Sequence, residues 1–319
     1  MKIVICSDFH INKAHRLEDT KDAMNQILEY CKSQKDIKAL FFLGDAYTSR
    51  RPRQNEMRVF EKWSQQISEL RIKQIYLIGN HDKDEETSAL GEFEELKVQN
   101  VKISESGTTI KIGDLKIYLG HDLLKEAKLG PLNYTTTKDV LTVEQLLYRH
   151  KEVNIFLLGH VHKPQVLNKQ PVVVYVGSIE RENFGERDEK KYFMTIEVET
   201  KKLSFHELKI RPMIQIETQT LDFNLPKTDK LPIIKVLLKG TKDIVNKELS
   251  RKERIAELKK ETYDLTIQTV IESTIRKRET KISDTETPIE NLKVYCKEKG
   301  ISEKSILLGL KIIEKVMKR

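Results

Sequence analysis

Gln74-Ile75-Tyr76-Leu77-Ile78-Gly79-Asn80-His81-Asp82 decides the fold. An apolar run of strand length stops at a glycine, and chemically active side chains follow at once. The same pattern recurs along the chain. Lys2–Cys6 reads as a strand that leads into Asp8-Phe9-His10, and Ala39–Leu43 as a strand that leads into Gly44-Asp45. Leu115–Leu119 leads into Gly120-His121-Asp122, and Asn154–Leu158 into Gly159-His160-Val161-His162. Between the first three strands, Leu17, Met24, Ile27, Leu28 and Cys31, then Met57, Phe60, Trp63, Ile67 and Leu70, recur at helical spacing. Alternation of strand and helix implies a largely parallel sheet with helices on its faces.

From about Val101 the pattern changes. Thr108–Ile112 and Leu115–Leu119 flank Gly113-Asp114, a hairpin signature, and Val172–Val176 is a further strand. Tyr192–Val198 and Leu203–Ile210 read as a second hairpin. These segments predict a second, mixed or antiparallel sheet. Arg211-Pro212 marks a domain edge. Beyond it, strand-like Met213–Gln219, Ile233–Leu238 and Tyr263–Val270 surround a charged helix over Lys242–Lys260, which predicts a small α+β accessory domain. The predicted division is 1–211, 212–275, a linker at 276–283 and helices over 284–319. The two terminal helices run Pro288–Lys299 and Ser302–Lys318, with Gly300 as the break and Ser302 as an N-cap.

The 319 residues are 38% hydrophobic and 33% charged, a globular composition rather than a disordered one. The net charge of +8 favours polyanionic partners, nucleic acid or a membrane surface. Cys6, Cys31 and Cys296 form neither a disulfide framework nor a zinc knuckle. No apolar run approaches the roughly 20 residues of a membrane helix. Asp8 and His10 stand where a signal peptide would still be apolar. The expected compartment is the cytoplasm, nucleoid-associated, or a host cytoplasm if the gene is viral.

Residues just past the carboxyl ends of strands line the crevice of an α/β sheet, so five separated segments can converge on one pocket. Five of the eight histidines, His10, His81, His121, His160 and His162, fall in these segments. Carboxylate, imidazole and amide oxygen together suit manganese, iron or zinc. Taken singly each motif has a plainer reading: Asp8 as a cap, Gly44-Asp45 as a turn, His160 and His162 as surface histidines. Their joint occurrence, each after a strand, argues for a shared site.

The ordered set DxH, GD, GNHD, GHD and GHVH resembles the calcineurin-like metallophosphoesterases, over about the first 200 residues. The resemblance implies a two-sheet sandwich with flanking helices, in αββα layers. It also implies two divalent metal ions, with Asp8, His10 and His162 holding one and Asn80, His121 and His160 the other. Asp45 would bridge them. His81 would stay off the metals and stabilise charge or donate a proton beside the scissile phosphate. Asp82 or Asp122 would orient an imidazole from behind.

Three further features resemble the SbcD nuclease branch of that family. Gly177-Ser178-Ile179-Glu180-Arg181 leads into Phe184-Gly185-Glu186 and Lys190-Lys191-Tyr192, with Lys191 where that branch usually has glycine. Arg50-Arg51-Pro52-Arg53 follows Gly44-Asp45, with Thr48 where some relatives carry His or Asp. The C-terminal stripe of Ile306, Leu310, Ile313 and Met317 needs something to cover it. The branch implies a manganese-dependent DNA nuclease, exonuclease on duplex ends and endonuclease on single strands, for DNA repair and recombination. It implies DNA contacts by Arg50, Arg51, Arg53, Ser178 and Arg181, and a DNA-capping role for 212–275. It implies terminal helices that grip the coiled coil of an SbcC-like ABC-type ATPase, in a homodimer within a heterotetramer. This chain has no GxxxxGK(S/T) loop of its own. A phosphomonoesterase or small-molecule phosphodiesterase would use the same ligands and stays open as the alternative.

Overall fold

The computed structural model describes the chain except residues 13–15, 84–87, 91–99, 130–139, 273–286, 299 and 318–319; at 288, 291, 294, 298 and 312–317 only the backbone is described. The expected linker, 276–283, lies outside the described residues.

The first sheet has the order β11-β10-β1-β2-β3-β4. Its parallel part consists of β1 (Lys2–Cys6), β2 (Ile37–Phe42), β3 (Lys73–Leu77) and β4 (Val101–Ser104). Helices α1 (Leu17–Ser33) and α2 (Gln54–Glu69) cover one face. Alternation along β1 sets the layers. Val4 and Cys6 point into the cluster under α1 and α2, with Met24, Phe60 and Trp63; Ile3 and Ile5 point the other way. Trp63 buries its ring there and donates Nε1–H to the Met24 carbonyl, which ties the two helices together.

The second sheet has the order β5-β6-β7-β9-β8. It contains the hairpin β5 (Thr108–Ile112) and β6 (Leu115–Gly120), then β7 (Ile155–Leu158), β8 (Gln165–Lys169) and β9 (Val172–Tyr175). Leu115, Ile117, Leu119 and Leu157 meet Ile3, Ile5 and Phe41 between the sheets. Tyr118, Phe156 and Tyr175 face outward, into a third cluster with Leu146 of α3 (Val143–Arg149). The result is the αββα sandwich.

The expected second hairpin exists as β10 (Tyr192–Glu197) and β11 (Lys202–Glu207), but it joins the first sheet and not the second. β10 pairs antiparallel with β1, and Phe193 on one face and Met194 and Ile196 on the other supply both clusters that β1 also serves. β4, β8 and α3 went unread in the sequence. β8 is a half-exposed edge strand, and α3 is only one short helix, started by the Thr142–Gln145 capping box.

After Arg211 come three parallel strands, β12 (Met213–Thr218), β13 (Ile233–Gly240) and β14 (Asp264–Ile271). The expected single helix is two, α4 (Lys242–Leu249) and α5 (Lys252–Lys260). Arg251 sits at the break, with its guanidinium on Asp222 at 2.6 Å and Glu248 at 2.9 Å. Two helices follow, α6 (Pro288–Glu298) and α7 (Glu303–Met317), separated by Gly300 at φ 62°. The Ser302 hydroxyl accepts from the Ser305 N–H at the start of α7. No helix among the described residues is long and apolar enough to cross a membrane.

Candidate metal centre

The five motif loops meet above the carboxyl ends of β1, β2, β3, β6 and β7. Their approach is close enough to exclude side chains at two glycines. A Cβ on Gly79 would lie 2.2 Å from Asp45 Oδ1, and one on Gly159 would lie 2.4 Å from both the Leu43 carbonyl and Ser7 Oγ. Four site residues take left-handed backbone: Asp8 (φ 53°), His10 (φ 45°), Asp45 (φ 57°) and His160 (φ 83°). Such conformations cost of order 1 kcal/mol or more each and persist where the surroundings enforce them. Here the loops enforce one another. Asp8 N–H donates to the Gly44 carbonyl and His10 N–H to the Asp45 carbonyl. The Asp8 carboxylate accepts from His160 N–H at 3.1 Å, and Asp45 Oδ1 accepts from His81 N–H at 2.8 Å.

Two clusters result. Asp8, His10 and His162 offer ligand atoms within 4.8 Å of one another, and so do Asp45, His121 and His160. In the first, His10 Nε2 and His162 Nε2 stand 3.0 Å apart. In the second, Asp45 Oδ2 is 3.1 Å from His121 Nε2. Asn80 Oδ1 joins this cluster, 3.1 Å from His121 Nε2 and 2.9 Å from His160 Nδ1. The same Asp45 Oδ2 lies 3.8 Å from His10 Nε2, so Asp45 stands between the clusters. The His81 ring sits edge-on to His10, with centroids 5.2 Å apart, and its Nδ1 meets the Thr48 carbonyl at 2.9 Å.

The outer nitrogens are held too. His121 Nδ1–H donates to the Leu43 carbonyl at 2.6 Å, and His162 Nδ1–H to Glu186 at 3.1 Å. Burial works against charge on both rings. The hydrogen bond to Asp45 together with the charges of Asp8 and Asp45 outweighs it for His121, and the hydrogen bond to Glu186 together with the charges of Asp8, Glu182 and Glu186 outweighs it for His162, so both pKa values rise. Burial would raise Asp45 as well, but the hydrogen bond and charge of His121 hold it low. For His10 and His160 burial prevails and lowers the pKa. This is a donor set built to carry positive charge. Carboxylates, imidazole nitrogens turned inward and one amide oxygen fit two divalent cations of the manganese, iron or zinc type.

Several expected roles change. Asp82 meets no imidazole. Fully buried, it accepts from the N–H groups of Ala46, Tyr47 and Gly79, bracing the Asp45 loop against the Asn80 loop. Burial, reinforced by the Asp45 charge, pushes its pKa up to about 7. Asp122 acts at one remove: it accepts from Ser106 Oγ, which accepts from His121 N–H. Ser106 carried no signal in the sequence beyond a turn. Ser178, expected at DNA, is 1% exposed, and its hydroxyl donates to the Glu180 carbonyl. Arg181 likewise turns inward, onto the carbonyls of Glu189 and Arg211. The physical reason is shared: the loop after β9 folds over the site and needs its polar groups to hold itself together. Arg50, Arg51 and Arg53 are exposed on the turn before α2. At the other end of the chain, Ile306 and Leu310 are half-buried, while Gly309, on the same side, backs onto Leu292 of α6. Among the described residues of α7, the exposed large apolar side chains are Leu307 and Leu308. The side chains of Ile313 and Met317 lie outside the described residues.

Residues 1–201 match the calcineurin-like phosphoesterase superfamily domain, and the chain belongs to that superfamily, whose fold uses divalent metals. A relative is the D subunit of the SbcCD nuclease of Staphylococcus saprophyticus, 21% identical over 273 residues, covering 68% of this chain and 71% of the relative. Among solved structures, a protein of Thermus thermophilus is 11% identical over 65% of this chain and 98% of its own, with a TM-score of 0.41. A cold-active protein-tyrosine phosphatase of a psychrophilic Shewanella is 17% identical over 65% of this chain and 80% of its own, with a TM-score of 0.33.

Proposed function

We propose that this chain is a DNA nuclease of the SbcD type, working with an SbcC-like, coiled-coil ABC-type ATPase in DNA repair and recombination. The observation that carries the metal chemistry is the pair of ligand clusters with Asp45 between them. Asp8, His10 and His162 would hold one cation; Asn80, His121 and His160 the other; Asp45 would reach both. When bound, the cation pair, manganese on this reading, supplies positive charge to phosphoryl oxygens and lowers the pKa of water.

The protein's own groups supply orientation and proton handling. The Thr48 carbonyl accepts from His81 Nδ1–H, which leaves the other ring nitrogen, Nε2, for a phosphate that would sit beside His10. As the imidazolium, with a proton on Nε2 as well as on Nδ1, His81 would stabilise the developing charge or give the Nε2 proton to the departing sugar oxygen. Arg50, Arg51 and Arg53 would meet the DNA backbone. The unit from Pro212 to Ile271 would cap the DNA, and α6 and α7 would meet the ATPase, with Leu307 and Leu308 as the open apolar contact. Support for DNA over a small phosphoester is the likeness to the staphylococcal SbcCD nuclease and the net charge of +8.

The test is digestion of end-labelled duplex and single-stranded DNA with manganese and with magnesium. Asp8→Ala should abolish cleavage. His81→Ala should slow it by about 10²–10⁴-fold, the usual weight of a positioned acid–base group. Full activity in both variants would refute the assignments. Turnover of nitrophenyl phosphates or cyclic nucleotides with none of DNA would make the chain a small-molecule phosphoesterase.

A further inference from the structure

Lys191 is fully buried, immediately before β10. A buried ammonium costs several kcal/mol unless it is paired and hydrogen-bonded. Its partners therefore say what it is for. Lys191 Nζ lies 2.6 Å from Glu186 Oε2 and 3.3 Å from Glu189 Oε2. It also donates to Ser178 Oγ at 2.9 Å and to the His162 carbonyl at 3.1 Å. The other Glu186 oxygen, Oε1, is 3.1 Å from His162 Nδ1. His162 is thus gripped at both ends, by its backbone carbonyl directly and by its ring through Glu186.

We propose that Lys191 and Glu186 are positioning residues for His162, and that they set the affinity of the Asp8–His10–His162 cluster separately from its neighbour. The proposal rests on the two-metal reading above. A carboxylate that accepts from Nδ1–H keeps the proton on that nitrogen and turns the Nε2 lone pair inward, where it faces His10 at 3.0 Å. Lys191 in turn keeps Glu186 in place and compensates its charge. Glu182, on the same loop, stands 3.4 Å from His10 Nδ1, so both imidazoles of this cluster have a carboxylate behind them. The other cluster is built differently: behind His121 is the neutral Leu43 carbonyl, part of the β2 end and independent of the loop. Disturbing Lys191 or Glu186 should reach one cluster and spare the other.

The test is titration of the metal-free full chain with Mn²⁺, followed by calorimetry and by the electron paramagnetic resonance of bound manganese. The wild type should bind two ions. Lys191→Met and Glu186→Gln should each keep one site at wild-type affinity and weaken the other, by about 10–100-fold as is usual for groups behind a metal-bound histidine. The coupled two-manganese signal should then give way to a single-ion signal at intermediate concentrations. Glu186→Gln is nearly isosteric and carries the test if Lys191→Met does not fold. Two sites at wild-type affinity in the folded variants would overturn the proposal. So would equal weakening of both sites, which is what a merely structural role predicts. A wild type that binds no pair of ions would instead refute the two-metal reading itself.

Discussion

Gly79 stands where the Asn80 loop touches the Asp45 loop, with an imaginary Cβ 2.2 Å from Asp45 Oδ1 and 2.3 Å from Asp45 N. The backbone partner cannot rotate away as a side-chain tip can. Gly79→Ala should therefore push the loops apart, which costs about 1–3 kcal/mol as overpacking does. The expected outcome is a metal-free melting temperature lower by several degrees and a loss of manganese binding, read by scanning calorimetry and titration. At this scale the sequence was most legible. Asp8, His10, Asp45, Asn80, His121, His160 and His162 stand in short motifs after strands, and those seven side chains meet in one cleft. Less legible were the groups behind them. Ser106, the Leu43 carbonyl and the Thr48 carbonyl belong to ordinary turns and strand ends, and only their neighbours in space give them a task.

Helix α1 shows how an element is fastened at one end. Asp19, in its first turn and almost fully buried, accepts from Arg16 at 2.9 Å and pairs with Arg211 at 2.8 Å. Arg16 also reaches Glu180, and Arg211 stacks on Tyr263 at 3.8 Å. The start of α1, the loop after β9 and the three-stranded unit share one charged junction. Burial would raise the Asp19 pKa, but hydrogen bonds from Arg211 and Arg16 outweigh it and the pKa is lowered. A depressed carboxylate contributes stability that is present in full above its unfolded-state value, near 3.9, and is lost as pH falls through the folded value. Asp19→Asn should thus lower stability by about 3 kcal/mol at neutral pH, as breaking a buried pair does. That deficit should be constant above about pH 5 and shrink below about pH 4, in melting curves of both proteins taken across that range. The sequence announced α1 by its apolar spacing, but not its anchor: Asp19 and Arg211 are 192 positions apart.

For the molecule as a whole, the proposed DNA substrate makes the net charge of +8 and the arginine turn before α2 testable. With an uncleaved substrate, DNA affinity should fall steeply with salt. Arg50→Ala should weaken binding for all sequences alike and reduce the salt slope by about one counterion. Fluorescence anisotropy across a salt series measures both; an unchanged slope would remove Arg50 from the interface. Bound cations should also stabilise the fold, since the ligands come from five segments that are together only when folded. At a hundredfold excess over the dissociation constant, each ion adds about 2.7 kcal/mol. Stripping with a chelator should lower the melting temperature, and manganese should restore it.

Taken alone, the sequence determined most of the strands and helices, though not β4, β8, α3 or the break between α4 and α5, and it marked the chemically active side chains, because apolar period, glycine breaks and motif spacing are local properties. It also pointed to the αββα class, through the resemblance that those motifs carry. Only the tertiary structure decided that the β10–β11 hairpin closes the first sheet, since that choice depends on which cores both faces of β10 can fill. Only the tertiary structure turned Ser178 and Arg181 inward, gave Asp82 to backbone N–H groups and buried Lys191 behind Glu186. Those outcomes come from polar groups seeking partners once burial removes water, and the partners are set by the fold and not by neighbours along the chain.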